Sequence, residues 1–324
     1  MATKRPHSDC DEEPPRKRMR ASPEYESTDE LSTADHSTKD HSTEASCGGA
    51  GDCGFRRPCK DRLEDLYHQG VLLGQGGFGS VYAGTRKSDG LPVAIKYVTR
   101  DEEELKVPGL DDPIPLEVAL MMHVSHETSC ANVLKLLDWF EGLDEYIMIL
   151  ERPDPCQDLF QFCRSKGGFL SEDLARHVVA QVLQALRHCE KHNVLHRDLK
   201  PENLLIELQS LQVKLIDFGC GDIWRDSVYT EFAGTEDYTP PEWFLSQKYR
   251  AGPCTVWSLG VTLYQLVCGY LPFPTKRAAI RGRIKFPPSV SPDCRNLIRQ
   301  CLKRKAADRL TMQQIKLHPW LQHC

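Results

Sequence analysis

The chain has 324 residues, 40% hydrophobic and 27% charged, an ordinary globular composition with room for one large domain or two small ones. Its formal charge of −5, from 41 basic and 46 acidic residues, excludes a protein that coats nucleic acid through a strongly basic domain. Fourteen cysteines would suit a disulfide scaffold, but Met1 to Pro15 holds no apolar run of a secretory leader. Free, mostly buried thiols in a reducing compartment, cytoplasmic and/or nuclear, are therefore expected.

Residues 1–62 contain only Leu31 and Phe55 among Leu, Ile, Val, Phe and Trp. Such a tail buries too little apolar surface to offset its ordering entropy and is expected to be disordered. Ser-Thr pairs recur at Ser27-Thr28, Ser32-Thr33, Ser37-Thr38 and Ser42-Thr43, as phosphorylation targets or as a passive solvated repeat. Cys47, Cys53 and Cys59 fit no zinc-ligand spacing. Lys4-Arg5 and the cluster Arg16, Lys17, Arg18 and Arg20 fit a bipartite signal for a nuclear-import receptor (residues 4–20). A plain basic tail is the other reading.

A globular domain is expected over 63–322, strand-rich to about 151 and helical from about 152. Val71–Leu73, Ser80–Ala83, Val93–Val98, Val133–Phe140 and Tyr146–Leu150 read as strands. Leu174, Val178, Val182, Leu186 and Cys189 repeat at helical spacing across Glu172–Glu190, behind a good N-terminus at Ser171, Glu172 and Asp173. Further helices are expected near Cys254–Cys268, Ser291–Leu302 and Thr311–Lys316. Ala251 to Thr275 carries no charge, yet prolines leave only Cys254–Cys268 helical. That is ~22 Å, short of the ~30 Å hydrocarbon core, so a buried helix and no membrane span is the reading. A strand-rich front and helical back imply two lobes with a cleft between.

The chemistry begins at Leu73-Gly74-Gln75-Gly76-Gly77-Phe78-Gly79-Ser80-Val81, a glycine-rich stretch between two strands. Strand-to-strand placement disfavours a dinucleotide fold, whose glycine motif leads into a helix. Glycines let backbone N–H groups approach phosphate oxygens. Lys96, in Val93-Ala94-Ile95-Lys96, is costly inside an apolar strand unless paired. Phosphates on one side and Glu117, on the next predicted helix, on the other would satisfy it. His196-Arg197-Asp198-Leu199-Lys200-Pro201-Glu202-Asn203 and Asp217-Phe218-Gly219 complete the set. Asp198 can accept a hydroxyl proton, Lys200 can neutralise a moving phosphoryl group, and Asn203 and Asp217 offer oxygen ligands to Mg²⁺. His188, His192 and His196 form no credible metal site beside such hard donors, and His196 reads as a packing residue.

Glycine-rich loop, strand lysine, helix glutamate, His-Arg-Asp and Asp-Phe-Gly, in this order, resemble the protein kinase signature over about Tyr67 to Trp320. The linker Glu151-Arg152-Pro153-Asp154-Pro155, the segment Thr239-Pro240-Pro241-Glu242-Trp243, Leu137-Asp138-Trp139-Phe140 and Thr255-Val256-Trp257 resemble the Pim family of serine/threonine kinases. The resemblance implies an α+β bilobal fold: a small antiparallel β-rich lobe with one helix, and a larger, mainly α-helical lobe. It implies ATP and Mg²⁺ as cofactors, with catalytic Asp198, Lys200, Lys96 and Glu117, and Asn203 and Asp217 on the metal. Nucleotide contacts are implied for Leu73, Gly74, Gln75, Gly76, Gly77, Phe78, Gly79, Ser80, Val81, Ala94, Lys96, Glu151 and Leu205.

Lys200, and Thr235 bridging it to Asp198, point to serine and threonine substrates. Pro153 has no N–H to offer adenine, so the linker keeps only the Glu151 carbonyl. Asp158 and Glu202 match positions that favour basic peptides, whereas Gln161 and Ala233 depart from the Pim pattern and weaken that preference. Thr255 replaces an aspartate that braces the catalytic loop in most kinases. Arg197 could receive a phosphate from Ser227, Tyr229, Thr230 or Thr235, but Pim kinases resemble enzymes active without one, and Asp226 and Glu231 fit that. Glu242 is expected to pair with Arg309. Arg277–Arg309, rich in Lys and Arg, reads as solvated helix faces, and no nucleic-acid partner is expected. A monomer is expected. A binding scaffold without catalysis is the alternative; the intact set Lys96, Glu117, Asp198, Asn203 and Asp217 argues against it.

Overall fold

In the computed structural model, residues 63–76, 79–99, 104–107, 112–125, 129–142 and 144–322 are described. The tail motifs of 1–62, Gly77 and Phe78 lie outside the described residues. Five antiparallel strands, β1 (Tyr67–Gly76), β2 (Gly79–Arg86), β3 (Pro92–Thr99), β4 (Leu136–Glu141) and β5 (Glu145–Glu151), form one sheet in the order β1-β2-β3-β5-β4. β3 is buried on both faces from Val93 to Lys96 and again at Val98. Ala94 and Val98 join Met148 and Leu150 against helix α1 (Leu116–Ser125). Val93 and Ile95 join Phe140, Ile147 and Ile149 in a second layer, closed by Leu63 and Tyr67.

The strand expected over Val133–Phe140 starts only at Leu136. Val133 instead bridges Leu215, and the Asn132 side-chain amide donates to the Val213 carbonyl at 2.8 Å. The front of this segment therefore ties the sheet lobe to the helical lobe.

The helical lobe holds α2 (Leu159–Ser165), α3 (Glu172–Lys191), α4 (Pro241–Ser246), α5 (Ala251–Cys268), α6 (Lys276–Arg281) and α7 (Pro292–Cys301). Ser171 caps α3 by accepting the Leu174 N–H, and Val178, Val182, Leu186 and Cys189 are buried as the periodicity requires. α5 starts at Ala251 rather than Cys254, because Pro253 sits in the first turn, where its missing N–H costs nothing. Its Trp257 is buried and stacks on Phe273 with ring centroids 5.4 Å apart. Among the described residues, no helix is long and apolar enough to cross a membrane. Every described cysteine is a free thiol, and burial pushes those of Cys254 and Cys301 up to about 12.

Between the lobes lies a small antiparallel sheet of Val213–Leu215, Leu204–Glu207 and Cys156–Asp158, in that order. Asn203 immediately precedes its central strand, and Asp217 follows the outer one two residues on. The Ile216 N–H donates to the Asn203 carbonyl at 3.0 Å, so these two side chains leave the sheet side by side.

Candidate active site

Lys96 sits mid-strand on β3, in register with Val81 on β2 and Met148 on β5. It is 6% exposed, and its ammonium is shared among three carboxylate oxygens. Nζ lies 2.6 Å from Glu117 Oε1, 2.9 Å from Glu117 Oε2 and 2.9 Å from Asp217 Oδ1. Burial alone would lower the Lys96 pKa, but Glu117 and Asp217 outweigh it and hold the group charged. Asp217 is pulled below its ordinary range by Lys96 against the opposing effect of burial. Complete burial on α1 pushes the Glu117 carboxyl up despite its lysine.

A second cluster surrounds Asp198. Its Oδ2 accepts from Lys200 Nζ at 2.7 Å and from Asn203 Nδ2 at 3.0 Å, and its Oδ1 accepts the Thr235 N–H at 2.8 Å. Lys200 also donates to Thr235 Oγ1 at 2.6 Å, so Thr235 links lysine and carboxylate, but it meets Asp198 through its backbone N–H and not through the expected hydroxyl. Burial raises the Asp198 pKa, but Lys200 and Thr235 outweigh it and lower the value. His196 is buried, its Nε2 2.9 Å from the Ile216 carbonyl and its ring edge-to-face with Phe218. Burial lowers its pKa and keeps it neutral, in line with a packing role. Arg197 and Asp217 are non-glycine residues at φ +63° and +64°, a left-handed backbone that costs about 1–3 kcal/mol each and is typical of functional sites.

The donor set fits a hard cation. Asn203 spends Nδ2 on the Asp198 carbonyl and carboxylate, which leaves its amide oxygen, and Asp217 spends Oδ1 on Lys96, which leaves Oδ2. Among the described residues no cluster of three His, Cys, Asp or Glu competes for a metal.

Leu73, Gly74, Gln75 and Gly76 form the exposed end of β1. A Cβ at Gly74 or Gly76 would meet no atom within 4 Å, so open space faces both. Gly79 answers a different need. At φ +122° its Cβ would fall 1.8 Å from the Tyr97 carbonyl, so glycine here lets β2 pair with β3. Ser80 and Val81 then run in register with Tyr97 and Lys96, and Ala94 lies opposite Leu150. Leu205 is the middle strand's partner to both Asp158 and Lys214. Asp158 caps α2 through the Gln161 N–H at 2.8 Å, while Glu202 is exposed beside Asn203. Neither touches the two clusters among the described residues.

Arg197 and a tyrosine pair anchor the stretch that follows Asp217. Arg197 donates to the carbonyls of Cys220 and Gly221 and lies 3.3 Å from Asp222 Oδ2. Tyr229 and Tyr249 exchange backbone hydrogen bonds and stack at 5.1 Å. Thr255 turns its hydroxyl back to the Ala251 carbonyl at 3.0 Å, so it does not brace the catalytic loop. Thr262, further along α5, reaches the Leu199 carbonyl at 3.5 Å. Glu242 and Arg309 form the expected pair, a two-pronged bridge with Nη1–Oε1 at 2.7 Å and Nη2–Oε2 at 2.5 Å.

Two residues escaped sequence reasoning. Gly234, at φ +118°, would place a Cβ 2.6 Å from the Arg197 carbonyl, so it lets Thr235 reach Asp198. Lys214 is buried in the strand before Asp217 and donates to Glu151 Oε1 at 3.0 Å, bracing the linker. The cost that marked Lys96, a lysine in an apolar strand, would have marked Lys214 too.

A family model described as protein kinase domain matches residues 67–321. The chain is 44% identical to the serine/threonine-protein kinase pim-2 of Danio rerio, over 81% of this chain and 86% of that protein. It is 38% identical to the serine/threonine-protein kinase prk-2 of Caenorhabditis elegans, over 80% of this chain and 59% of that protein. With the serine/threonine-protein kinase SIK1 of Mus musculus it shares 37% identity over 77% of this chain, but spans only 32% of that longer protein.

Proposed function

This chain belongs to the protein kinase family, as a Pim-like serine/threonine kinase, and from that premise we propose how its own residues divide the work. The enzyme moves the terminal phosphoryl group of ATP to serine or threonine hydroxyls of proteins. Lys96, fixed by Glu117, turns to the nucleotide phosphates the N–H that Asp217 now holds. Gly74 and Gly76 leave room for backbone N–H groups to approach the same phosphates. Asn203 and Asp217 hold Mg²⁺, which supplies charge neutralisation on the phosphates when bound. Ala94, Val81 and Leu205 supply apolar walls for the base, and the Glu151 carbonyl its polar contact.

Asp198 orients the acceptor hydroxyl and takes its proton. Three donors hold it ionised, so it is a weak base that acts late, as a loose phosphoryl-transfer transition state allows. Lys200, bound to Asp198, meets the charge of the moving group. The observation that carries this reading is the simultaneous assembly of the Lys96–Glu117–Asp217 and Asp198–Lys200–Asn203–Thr235 sets. Both sets stand in the protein alone, with the side chains already in place and only partners, such as the Lys96–Asp217 contact, to exchange.

Substrates carry basic residues near the acceptor, drawn by the exposed Glu202 beside Asn203 and by half-buried Asp158, whose Oδ1 caps α2. Activity does not await a loop phosphate, since Cys220, Gly221 and Asp222 already occupy Arg197. An arginine-scanned serine peptide library with Mg·ATP tests the first point, and phosphatase-treated enzyme tests the second. A preference for upstream arginine and undiminished rates after phosphatase are expected; a flat library or a collapse in rate contradicts the respective claim.

A further inference from the structure

We propose that the convergent basic face formed by α6, the turn after it and the loop following α7 is a docking surface for an acidic segment of the protein substrate. The stretch from Lys276 to Lys305 holds ten Lys and Arg residues against one acid, Asp293, in a chain whose net charge is −5. Solvated helix faces normally interleave the two signs. Here they are segregated.

Three of the ten have evident employment. Lys276 pairs with Glu236 at 3.1 Å, Arg295 donates to the carbonyls of Pro287, Pro288 and Val290, and Arg299 lies over the Phe286 ring. The others, four arginines and three lysines, are exposed, and none has a carboxylate partner among the described residues. Two separate stretches meet in this face. The stem of Arg304 lies against Gly282, so that a Cβ there would fall 2.7 Å from Arg304 Cγ, and Arg281 and Arg283 flank the same point. The loop is held from beneath, because Arg309 donates to the Lys303 carbonyl at 2.9 Å while bound to Glu242. Like charges are thus fixed close together by the fold, an arrangement that an anionic partner relieves.

The chemistry favours a polypeptide. Guanidinium forks pair carboxylates or phosphoryl groups bidentately. Within the stretch, Ile284 and Phe286 pack against the core, which leaves no apolar anchor for a lipid surface. Phe286 is its one aromatic and lies beneath Arg299, unsuited to stacking on bases.

The face also continues from the acceptor site. Thr235 contacts Asp198, its neighbour Glu236 pairs with Lys276, and Lys276 opens α6. A substrate can therefore hold its hydroxyl at Asp198 and an acidic segment on α6 at once. Docking would raise the local concentration of acceptor and lower KM without altering chemistry. The proposal rests on the kinase reading above, and its test separates the two.

The test compares a basic serine peptide with the same peptide extended by a flexible linker and a Glu-rich segment. Both are assayed with the wild-type chain and with the triple variant R281E/R283E/R304E. Binding of the labelled Glu-rich segment alone is followed by fluorescence anisotropy, which needs no catalysis. Expected are a KM at least about tenfold lower for the extended peptide with wild type, no such advantage with the variant, and equal kcat on the short peptide. Equal KM values for the two peptides with wild type overturn the proposal, as does an advantage that survives charge reversal. Binding to phosphatidylserine vesicles or oligo-dT without binding to the Glu-rich segment overturns it too. Absence of phosphate transfer to the short peptide, with anisotropy intact, would count against the kinase reading alone.

Discussion

Lys96 Nζ, on β3, lies 2.6 Å from Glu117 Oε1, on α1, with both side chains shielded from water. The pair fixes the helix against the sheet and leaves the lysine charged for phosphate. Lys96→Met should lower the rate of phosphoryl transfer at least about 100-fold, because it removes a preorganised charge. The fold should survive, since burial already favours the neutral form of Glu117. Radiolabel transfer and thermal melting check both parts; a variant within tenfold of wild type would contradict the role given to Lys96.

Much of this site was legible in the sequence because its residues bear chemistry at short, ordered spacings. Asp198, Lys200 and Asn203 sit on one loop, and Asp217 follows a short strand. Gly234 and Lys214 were missed for a different reason. Their roles depend on what the fold brings opposite them, the Arg197 carbonyl and the Glu151 carboxylate; the apolar strand around Lys214 signals that it needs a partner but not which one, and no local pattern announces the role of Gly234. Likewise, Pro253 looked like a helix breaker when its place in the first turn of α5 was unseen. The short helices α2, α4 and α6 carry too few periodic residues to be read from spacing.

The buried bridge between Glu242 and Arg309 should be the main ionic staple of the helical lobe, with Arg309 fully enclosed and also over the Trp257 ring. Arg309→Met leaves Glu242 partly buried without its partner and should cost about 3–5 kcal/mol. The double variant with Glu242→Gln should lose less than the sum of the two single changes. Urea denaturation of all three measures this. Strict additivity would mean the pair is not coupled.

His196 should give stability an acid limb. Burial lowers its folded pKa below the unfolded value of about 6.5. The unfolded chain therefore takes up the proton first, and stability falls as pH drops below about 6.5, towards the lower folded pKa. At most one such proton changes stability by about 1.4 kcal/mol per pH unit. His196→Asn should flatten the decline between pH 6.5 and 5 by up to that amount. An unchanged slope in denaturation series would show that His196 does not titrate in this way.

Pro153 removes one donor from the linker beside Glu151. Pro153→Ala restores an N–H, and one hydrogen bond of about 1 kcal/mol corresponds to roughly fivefold tighter nucleotide binding. Inhibitors that need that donor should gain similarly. Calorimetric titration showing no change for either would remove Pro153 from the account.

The most direct measurement concerns Asp198, on which the Lys200, Asn203 and Thr235 contacts converge. Asp198→Asn should still bind ATP within about threefold of wild type, yet transfer labelled phosphate to a basic serine peptide about 100- to 10,000-fold more slowly. Transfer within tenfold of wild type by the variant, or none by the wild-type enzyme, would contradict the account.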